Sequence, residues 1–262
     1  MISIVITGST SGIGYGLADS FLTSGCSVTI SGRSLIKLER AKDDLISKHD
    51  SSRVFSFNCD VTDYEQVQSL WNAAIEQFGK IDIWINNAGI GHREIEVWNY
   101  PSEQIKEVID INVTGAMYSA VAALKGMLKQ GFGAIYNMEG LGSNGTIIKG
   151  MALYGTTKSA LSYLTRAMVK ETKGTPVIVG GLRPGMVATK LITGQYEGHP
   201  EEWERSKHIF NILSDRVGTV APWLVRKILA NKKTGVNINW LTRFKVFRRF
   251  LLAPLVKRNI FD

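Results

Sequence analysis

Residues 2–14 read Ile2-Ser3-Ile4-Val5-Ile6-Thr7-Gly8-Ser9-Thr10-Ser11-Gly12-Ile13-Gly14. The apolar, β-branched run Ile2–Thr7 predicts a strand, and Gly12–Thr23 continues with helical periodicity. Glycines at 8, 12 and 14 let the backbone turn tightly and approach a pyrophosphate. The helix that starts there points free N–H groups and its positive dipole end at the same place. The spacing differs from G-x-G-x-x-G, and alone such a turn reads equally as a simple tight turn. Its position directly after an N-terminal strand favours phosphate binding. On this reading Gly8, Ser9, Thr10, Ser11, Gly12, Ile13 and Gly14 cradle a nucleotide.

Working outward, short apolar runs alternate with helical periods. Strands are predicted at Cys26–Ser31, Arg53–Asn58, Ile81–Ile85, Gly133–Met138, Pro176–Leu182 and Val236–Trp240. Helices are predicted at Leu35–Lys48, around Val67, Leu70, Trp71, Ala74, Ile75 and Phe78 with Gly79 as the stop, and at Ser102–Lys129, Ala152–Lys173 and Val220–Ala230. Ile81–Ile85 is continuously apolar, as expected of a parallel strand covered on both faces. Strict alternation without repeats or a linker predicts an α/β fold: a single Rossmann-type, doubly wound parallel sheet with helices on both faces. The pattern becomes irregular over 190–216, a predicted substrate loop. The expected division is a catalytic domain over 1–241 and a separate basic amphipathic tail over 242–262.

Composition narrows the function classes. The 262 residues carry a formal net charge of +8, yet residues 1–225 hold 21 basic and 22 acidic side chains while 226–262 hold 10 basic and one acidic. A nucleic-acid surface would spread cations over the body, so no nucleic-acid partner is expected. Two cysteines, Cys26 and Cys59, make neither a disulfide framework nor a metal site, and both sit in strand-like runs as buried thiols. His92, His199 and His208 lack metal-ligand spacing, so no metal is expected and all three read as surface or cleft-rim residues. With no signal peptide before the first strand and no membrane-spanning run, the expectation is a soluble, cytoplasmic protein, at most peripheral to a membrane.

The second predicted strand ends Ser31-Gly32-Arg33-Ser34. An acid there would bind a ribose 2′-hydroxyl, whereas an arginine pairs a 2′-phosphate, so Arg33 votes for NADP(H) over a solvated surface role. Asn86-Asn87-Ala88-Gly89 follows the fourth strand, Asn112 lies in helical sequence, and Tyr154 and Lys158 share one helix face at i and i+4. An ammonium beside a phenol lowers the phenol's pKa and fits it for proton donation.

In this order the motifs resemble the short-chain dehydrogenase/reductase family, from Ile2 to about Thr189. The resemblance implies that Tyr154 is the catalytic acid/base, that Lys158 orients the nicotinamide ribose, and that Asn112 holds a relay water. It further implies that Asp60 and Val61 flank adenine and that Asn87, Ala88 and Gly89 line the cofactor cleft. Pro184, Gly185, Val187 and Thr189 complete the cofactor set, the last two at the carboxamide. A homodimer or homotetramer is implied as well.

One departure stands out. Most members carry a serine thirteen residues before the tyrosine, at the end of an Asn-Ile-Ser-Ser strand; here position 141 is leucine, and Glu139-Gly140 replaces the serine pair. The candidate hydroxyl is Ser143, unless the site has lost the function; losing such a donor costs roughly 10²–10³ in rate. Glu139 either faces the cleft or marks the strand exit. The altered stretch Asn137-Met-Glu-Gly-Leu-Gly-Ser-Asn-Gly145, with Trp84-Ile-Asn-Asn-Ala-Gly89 and Pro184-Gly-Met-Val-x-Thr189, resembles the chlorophyll b reductase branch. This implies NADPH-dependent reduction of a bulky apolar carbonyl such as the formyl group of chlorophyll(ide) b. Reduction of other lipophilic ketones or aldehydes, or a dinucleotide-binding sensor with little turnover, are the alternatives.

In the tail, Phe244, Phe247, Phe250 and Leu251 fall at helical spacing with cations between them. Such a helix either lies on an anionic membrane, or packs its apolar face on the body or a second subunit and leaves its cations in water.

Overall fold

Alternate residues of the first strand serve opposite sides of the molecule. In the computed structural model, which describes residues 1–261, Ile4 and Ile6 pack into one hydrophobic layer and Val5 into the other. The strands are β1 (Ser3–Ile6), β2 (Ser27–Gly32), β3 (Val54–Asn58), β4 (Ile83–Asn86), β5 (Gly133–Met138), β6 (Val177–Arg183), β7 (Val187–Ala188), β8 (Asp215–Arg216) and β9 (Asn237–Asn239). Seven of them form one sheet in the order β3-β2-β1-β4-β5-β6-β9, every pair parallel. The strands β7 and β8 pair separately.

The helices are α1 (Gly12–Thr23), α2 (Leu35–Ile46), α3 (Tyr64–Phe78), α4 (Ser102–Ile109), α5 (Gly115–Gln130), α6 (Ala152–Glu171), α7 (Lys190–Thr193), α8 (Pro200–Leu213), α9 (Val217–Ala230) and α10 (Arg243–Leu252). Leu17 and Phe21 of α1, Leu38 and Leu45 of α2, and Val220 and Leu224 of α9 cover one face of the sheet. Val67 and Leu70 of α3, Ala123 and Met127 of α5, and Met168 of α6 cover the other. This is the doubly wound arrangement expected. The strand order reverses between β1 and β4, so a crevice opens beyond the carboxyl ends of those two strands.

Three segments differ from the sequence expectation. The helix expected over 102–129 is broken by a π-helical turn at Asp110–Thr114. The wider turn carries Asn112 fully inward, and the adjoining Gly115 lets Val61 approach so closely that a Cβ would lie 2.6 Å from Val61 Cγ2. The stretch 190–216 contains a 14-residue helix, α8. Its start is well signalled by Pro200 in the first turn with Glu201 and Glu202. Apart from the buried Ile212, however, its inner side is a small aromatic cluster of the half-buried Trp203 and Phe210 with Tyr196 and Phe261, in place of a run of aliphatics.

The third is 242–262, whose described residues fold back on the body through part of their cations. Lys245, Arg249 and Arg258 point inward, while Arg243, Arg248 and Lys257 are exposed. Arg249 and Arg258 both donate to the Asp215 carboxylate, at 2.6–2.8 Å. They also donate to the carbonyls of Leu213 and Ser214, which end α8. Those are the orphan acceptors and the negative dipole end of that helix, so guanidinium groups suit them on both counts.

Candidate active site

A cleft of about 2210 Å³ runs along the carboxyl ends of the strands, bounded by β1, β4 and β5 below and by residues 190–250 above. The glycine turn forms one end. Gly8 has φ +63°, and a Cβ there would lie 2.7 Å from Ala88 Cα, so only glycine fits between the two loops. Asn87 fastens the turn: its Nδ2 donates to the carbonyls of Thr7 (2.8 Å) and Gly8 (2.9 Å), while Thr7 Oγ1 accepts from the Asn87 and Ala88 amides.

Gly8, Thr10, Ser11, Gly12, Ile13 and Gly14 line the cleft. Ser9 does not; it is fully buried, its hydroxyl donating to Ile6 O (2.7 Å) and accepting from the Ser31 amide (2.9 Å). Its role is to tie β1 to β2. The start of α1 has no side-chain cap and no acid in its first turn, so its leading N–H groups are presented to the cleft.

Arg33 stands at the rim, half-exposed and 3.2 Å from Glu107. Asp60 and Val61 line the adjoining wall, the Asp60 carboxylate accepting from the amide and hydroxyl of Thr62. Ala88, Gly89, Pro184, Gly185, Val187 and Thr189 also line the cleft.

The chemistry is placed by α6, which carries Tyr154 and Lys158 on the face toward β5. Lys158 is buried and donates to Met138 O at 3.0 Å, and its Nζ lies 5.5 Å from the Tyr154 ring centre. Burial pulls the lysine down to about 8, with the Glu139 carboxylate opposing. Burial pushes the Tyr154 phenol up to about 12. The expected lowering by the ammonium is therefore not the dominant effect: the cation lies over the ring, with its hydrogen bond directed at the strand. At neutral pH the phenol is protonated, as a proton donor must be.

Asn112 is buried with its side chain fully engaged. Oδ1 accepts from the Ile90 amide (2.8 Å), and Nδ2 donates to Ile90 O (2.9 Å) and Thr157 Oγ1 (3.2 Å). It braces the Gly89–Ile90 loop against α6. Ser143 lines the cleft in a turn whose amide donates to Gly140 O. A Cβ built on Gly140 would lie 3.0 Å from Tyr154 Oη, so the position facing the phenol carries no side chain.

Two residues gain roles that spacing could not show. His92, taken for the rim, is buried, and its Nε2 accepts from the Tyr154 amide at 3.0 Å while Nδ1 donates to Arg93 O at 2.7 Å. It caps the first turn of α6 beside the phenol, and the two partners together select the Nδ1–H form. Glu139 leaves β5 as a fully buried carboxylate, 2.6 Å from Arg183 Nε at the end of β6. Its other oxygen has no hydrogen-bond partner among the described residues. The invisible signal was register: β5 and β6 run side by side, with Met138 opposite Leu182, which brings residues 139 and 183 together.

Comparison with known proteins agrees with this architecture. The family model for short chain dehydrogenases matches residues 3–199. A probable chloroplastic chlorophyll(ide) b reductase of Arabidopsis thaliana is 32% identical over 99% of this chain, which spans 54% of that relative's length. A chloroplastic chlorophyll(ide) b reductase of Oryza sativa is 34% identical over 98% of this chain and 77% of its own length. Among solved structures, serine dehydrogenase complexed with NADP+ superposes with a TM-score of 0.81 at 22% identity, over 92% of this chain and 95% of that one. ElxO with NADP bound gives 0.78 at 26% identity, over 91% and 97%. With its parallel sheet, glycine turn and Tyr154–Lys158 pair, this chain belongs to the short-chain dehydrogenase family of oxidoreductases.

Proposed function

We propose that the protein reduces the carbonyl of a bulky, apolar small molecule with NADPH, the formyl group of chlorophyll(ide) b being the best candidate. The observation that carries the reading is one cleft holding the uncapped start of α1, the half-buried Tyr154 and the buried Lys158. Its volume is about twice the upper end of ordinary ligand pockets, enough for a dinucleotide and a large second molecule. The names of the relatives support the formyl substrate, and the NADP bound to ElxO supports the cofactor.

The residues present fit the dinucleotide. The amides of Gly12, Ile13 and Gly14 would hold the pyrophosphate, Arg33 the 2′-phosphate, and Asp60 and Val61 the adenine. Asn87, Ala88 and Gly89 would border the ribose, with Pro184, Gly185, Val187 and Thr189 at the nicotinamide end. Bound there, NADPH supplies a hydride to the carbonyl carbon. Tyr154 Oη gives its proton to the oxygen as negative charge develops, so the carbonyl leaves as an alcohol. Lys158 orients the ribose and, while charged, stabilises the phenolate left behind. Ser143 takes the place of the missing serine, its hydroxyl donating to the same oxygen. Asn112 acts on the relay by holding the loop at Ile90 in place.

Exposed apolar side chains on the outer faces of α5 and α6, Met117, Val121, Leu128 and Tyr163, support a homodimer or homotetramer. The buried free thiols Cys26 and Cys59 suit a reducing compartment such as the cytoplasm. NADPH oxidation over a panel of aldehydes and ketones that includes chlorophyllide b tests the assignment. Tyr154→Phe should abolish turnover, by at least about 10²-fold, while NADPH affinity holds within roughly twofold. Turnover that survives this change would overturn the mechanism; tight NADPH binding without turnover of any carbonyl would leave the sensor reading in its place.

A further inference from the structure

The sequence posed the basic tail as an amphipathic helix that lies on an anionic membrane or packs its apolar face on the body or a second subunit, and the structure divides its cations into two sets. Lys245, Arg249 and Arg258 converge on one buried acid, Asp215, at 4.0, 2.6 and 2.7 Å, and hold α10 against the end of α8. Arg243, Arg248 and Lys257 are exposed. Between them runs an apolar stripe at i, i+3 and i+7: Phe244 (73% exposed), Phe247 (66%) and Leu251 (64%), continued beyond the helix by Leu255 (82%). An apolar stripe of this size left in water marks a contact surface, and cations flanking it suit a negatively charged one.

The same helix also borders the catalytic cleft. Val246, Phe247 and Phe250 line it together with Tyr154, Met186 and Leu213. The apolar stripe and the mouth of the cleft are therefore one continuous surface, and Phe247 belongs to both.

We infer that α10 docks on an anionic lipid surface, with Phe244, Phe247, Leu251 and Leu255 in the headgroup boundary and Arg243, Arg248 and Lys257 on the lipid phosphates. A lipid-dissolved carbonyl compound then enters past Phe247 and Phe250 without crossing water. The route rests on the apolar-substrate reading above; the docking does not. Asp215 is essential to this polarity, because it turns three cations inward and so leaves the apolar face outward. No helix among the described residues is long and apolar enough to cross a membrane, so the contact is one of surface docking.

The test is co-sedimentation of the full chain with vesicles of phosphatidylcholine alone or mixed equally with phosphatidylglycerol. The protein should sediment with the mixed vesicles, be released by salt, and stay largely in solution with phosphatidylcholine. A triple variant, Phe244→Ser with Leu251→Ser and Leu255→Ser, should bind at least about tenfold more weakly. A charge variant, Arg248→Glu with Lys257→Glu, should lose roughly as much. All five side chains are exposed and outside the cleft lining, so both variants should reduce a small water-soluble aldehyde as the parent does. The docking is overturned if the parent stays in solution with both vesicle types, or if both variants bind like the parent. It is equally overturned if the triple variant changes a dimer to a monomer while no form sediments, since a second copy then covers the stripe. Sedimentation without turnover of any carbonyl sustains the docking and overturns the reductase; turnover without sedimentation does the reverse.

Discussion

On the sheet side of the cleft, Tyr154 and Lys158 stand on a 20-residue helix tied to its surroundings by interior bonds: Lys158 to Met138 O, the Tyr154 amide to His92, and Asn112 to Thr157 Oγ1. Behind them Asn137 links Asn86 to Thr165, with both bonds buried. On the roof side, residues 190–216 and 242–261 are gathered on one carboxylate, Asp215, and on the aromatic cluster of Tyr196, Trp203, Phe210 and Phe261. A floor of many interlocked bonds holds reacting atoms in fixed geometry, whereas a roof hung on one hub can open as a unit and admit a large substrate. Changes in the floor should therefore act on kcat, and changes in the roof on KM for bulky substrates.

The largest effect should come from Ser143, a floor residue that sits in a turn. Ser143→Ala should lower kcat by roughly 10²–10³ and leave the KM of a small aldehyde nearly unchanged, as for the loss of an oxyanion donor. Gly140→Ser in the same chain should restore part of the rate, because its Cβ would stand 3.0 Å from Tyr154 Oη and Gly140 has no positive φ to forbid it. A rate unmoved by Ser143→Ala would show that no hydroxyl replaces the missing serine.

Arg33→Ala tests the outer edge of the floor. Removing a guanidinium from a phosphate should weaken NADPH, and not NADH, by about tenfold, the low end for a charged hydrogen bond because the residue is half-exposed and shared with Glu107. Titrating both cofactors against the variant by fluorescence reads the ratio.

Asp215→Asn addresses the roof. It leaves Arg249 and Arg258 around a neutral amide and should cost roughly 3 kcal/mol, as when a buried pair loses one partner. Limited proteolysis should then cut within 190–216 or 242–261 first. KM for a bulky carbonyl should rise several-fold while kcat for a small aldehyde changes by less than about threefold. A collapse of kcat would mean that roof and floor are one unit. Acid gives the same result without a mutation. Burial alone would raise the Asp215 pKa, but hydrogen bonds from Arg249 and Trp240 outweigh it and hold the value low. The stabilisation is thus complete above the unfolded carboxylate value near ~4 and fades as pH falls through the folded one.

The contrast between the two sides also explains what could be read from the chain. The floor was legible because each element there obeys a local rule: alternating apolar strands, a glycine turn, and Tyr154 and Lys158 one helical turn apart. Ser9 was misplaced because a glycine-turn serine looks the same whether its hydroxyl faces a phosphate or the Ile6 carbonyl. His92 and Glu139 escaped because their partners, Tyr154 and Arg183, are 62 and 44 residues away and meet them only through the order of strands. The roof was read least well. The capping groups of α8 come from Arg249 and Arg258, beyond any window that could reveal the helix, and the tail's polarity is set by an acid, Asp215, that lies outside the tail.

The smallest effect is the most discriminating. Lys158 is drawn down to about 8 by burial, and the Glu139 carboxylate pulls against that by favouring the ammonium. Tyr154, at about 12, does not titrate in this range, and the Glu139 carboxylate is itself paired to Arg183. kcat/KM in the reductive direction should therefore fall as pH rises through about 8, where the free enzyme loses the ammonium. Stability moves the opposite way. The unfolded lysine, near ~10.4, binds a proton that the folded one has released, so unfolding becomes harder between the two values. Activity lost while the melting temperature holds or rises identifies Lys158; both falling together would mean alkaline unfolding of the roof. Glu139→Gln removes the opposing charge and should move the activity limb to lower pH by a fraction of a unit. A limb that stays in place would show that Glu139 serves only to seat Arg183.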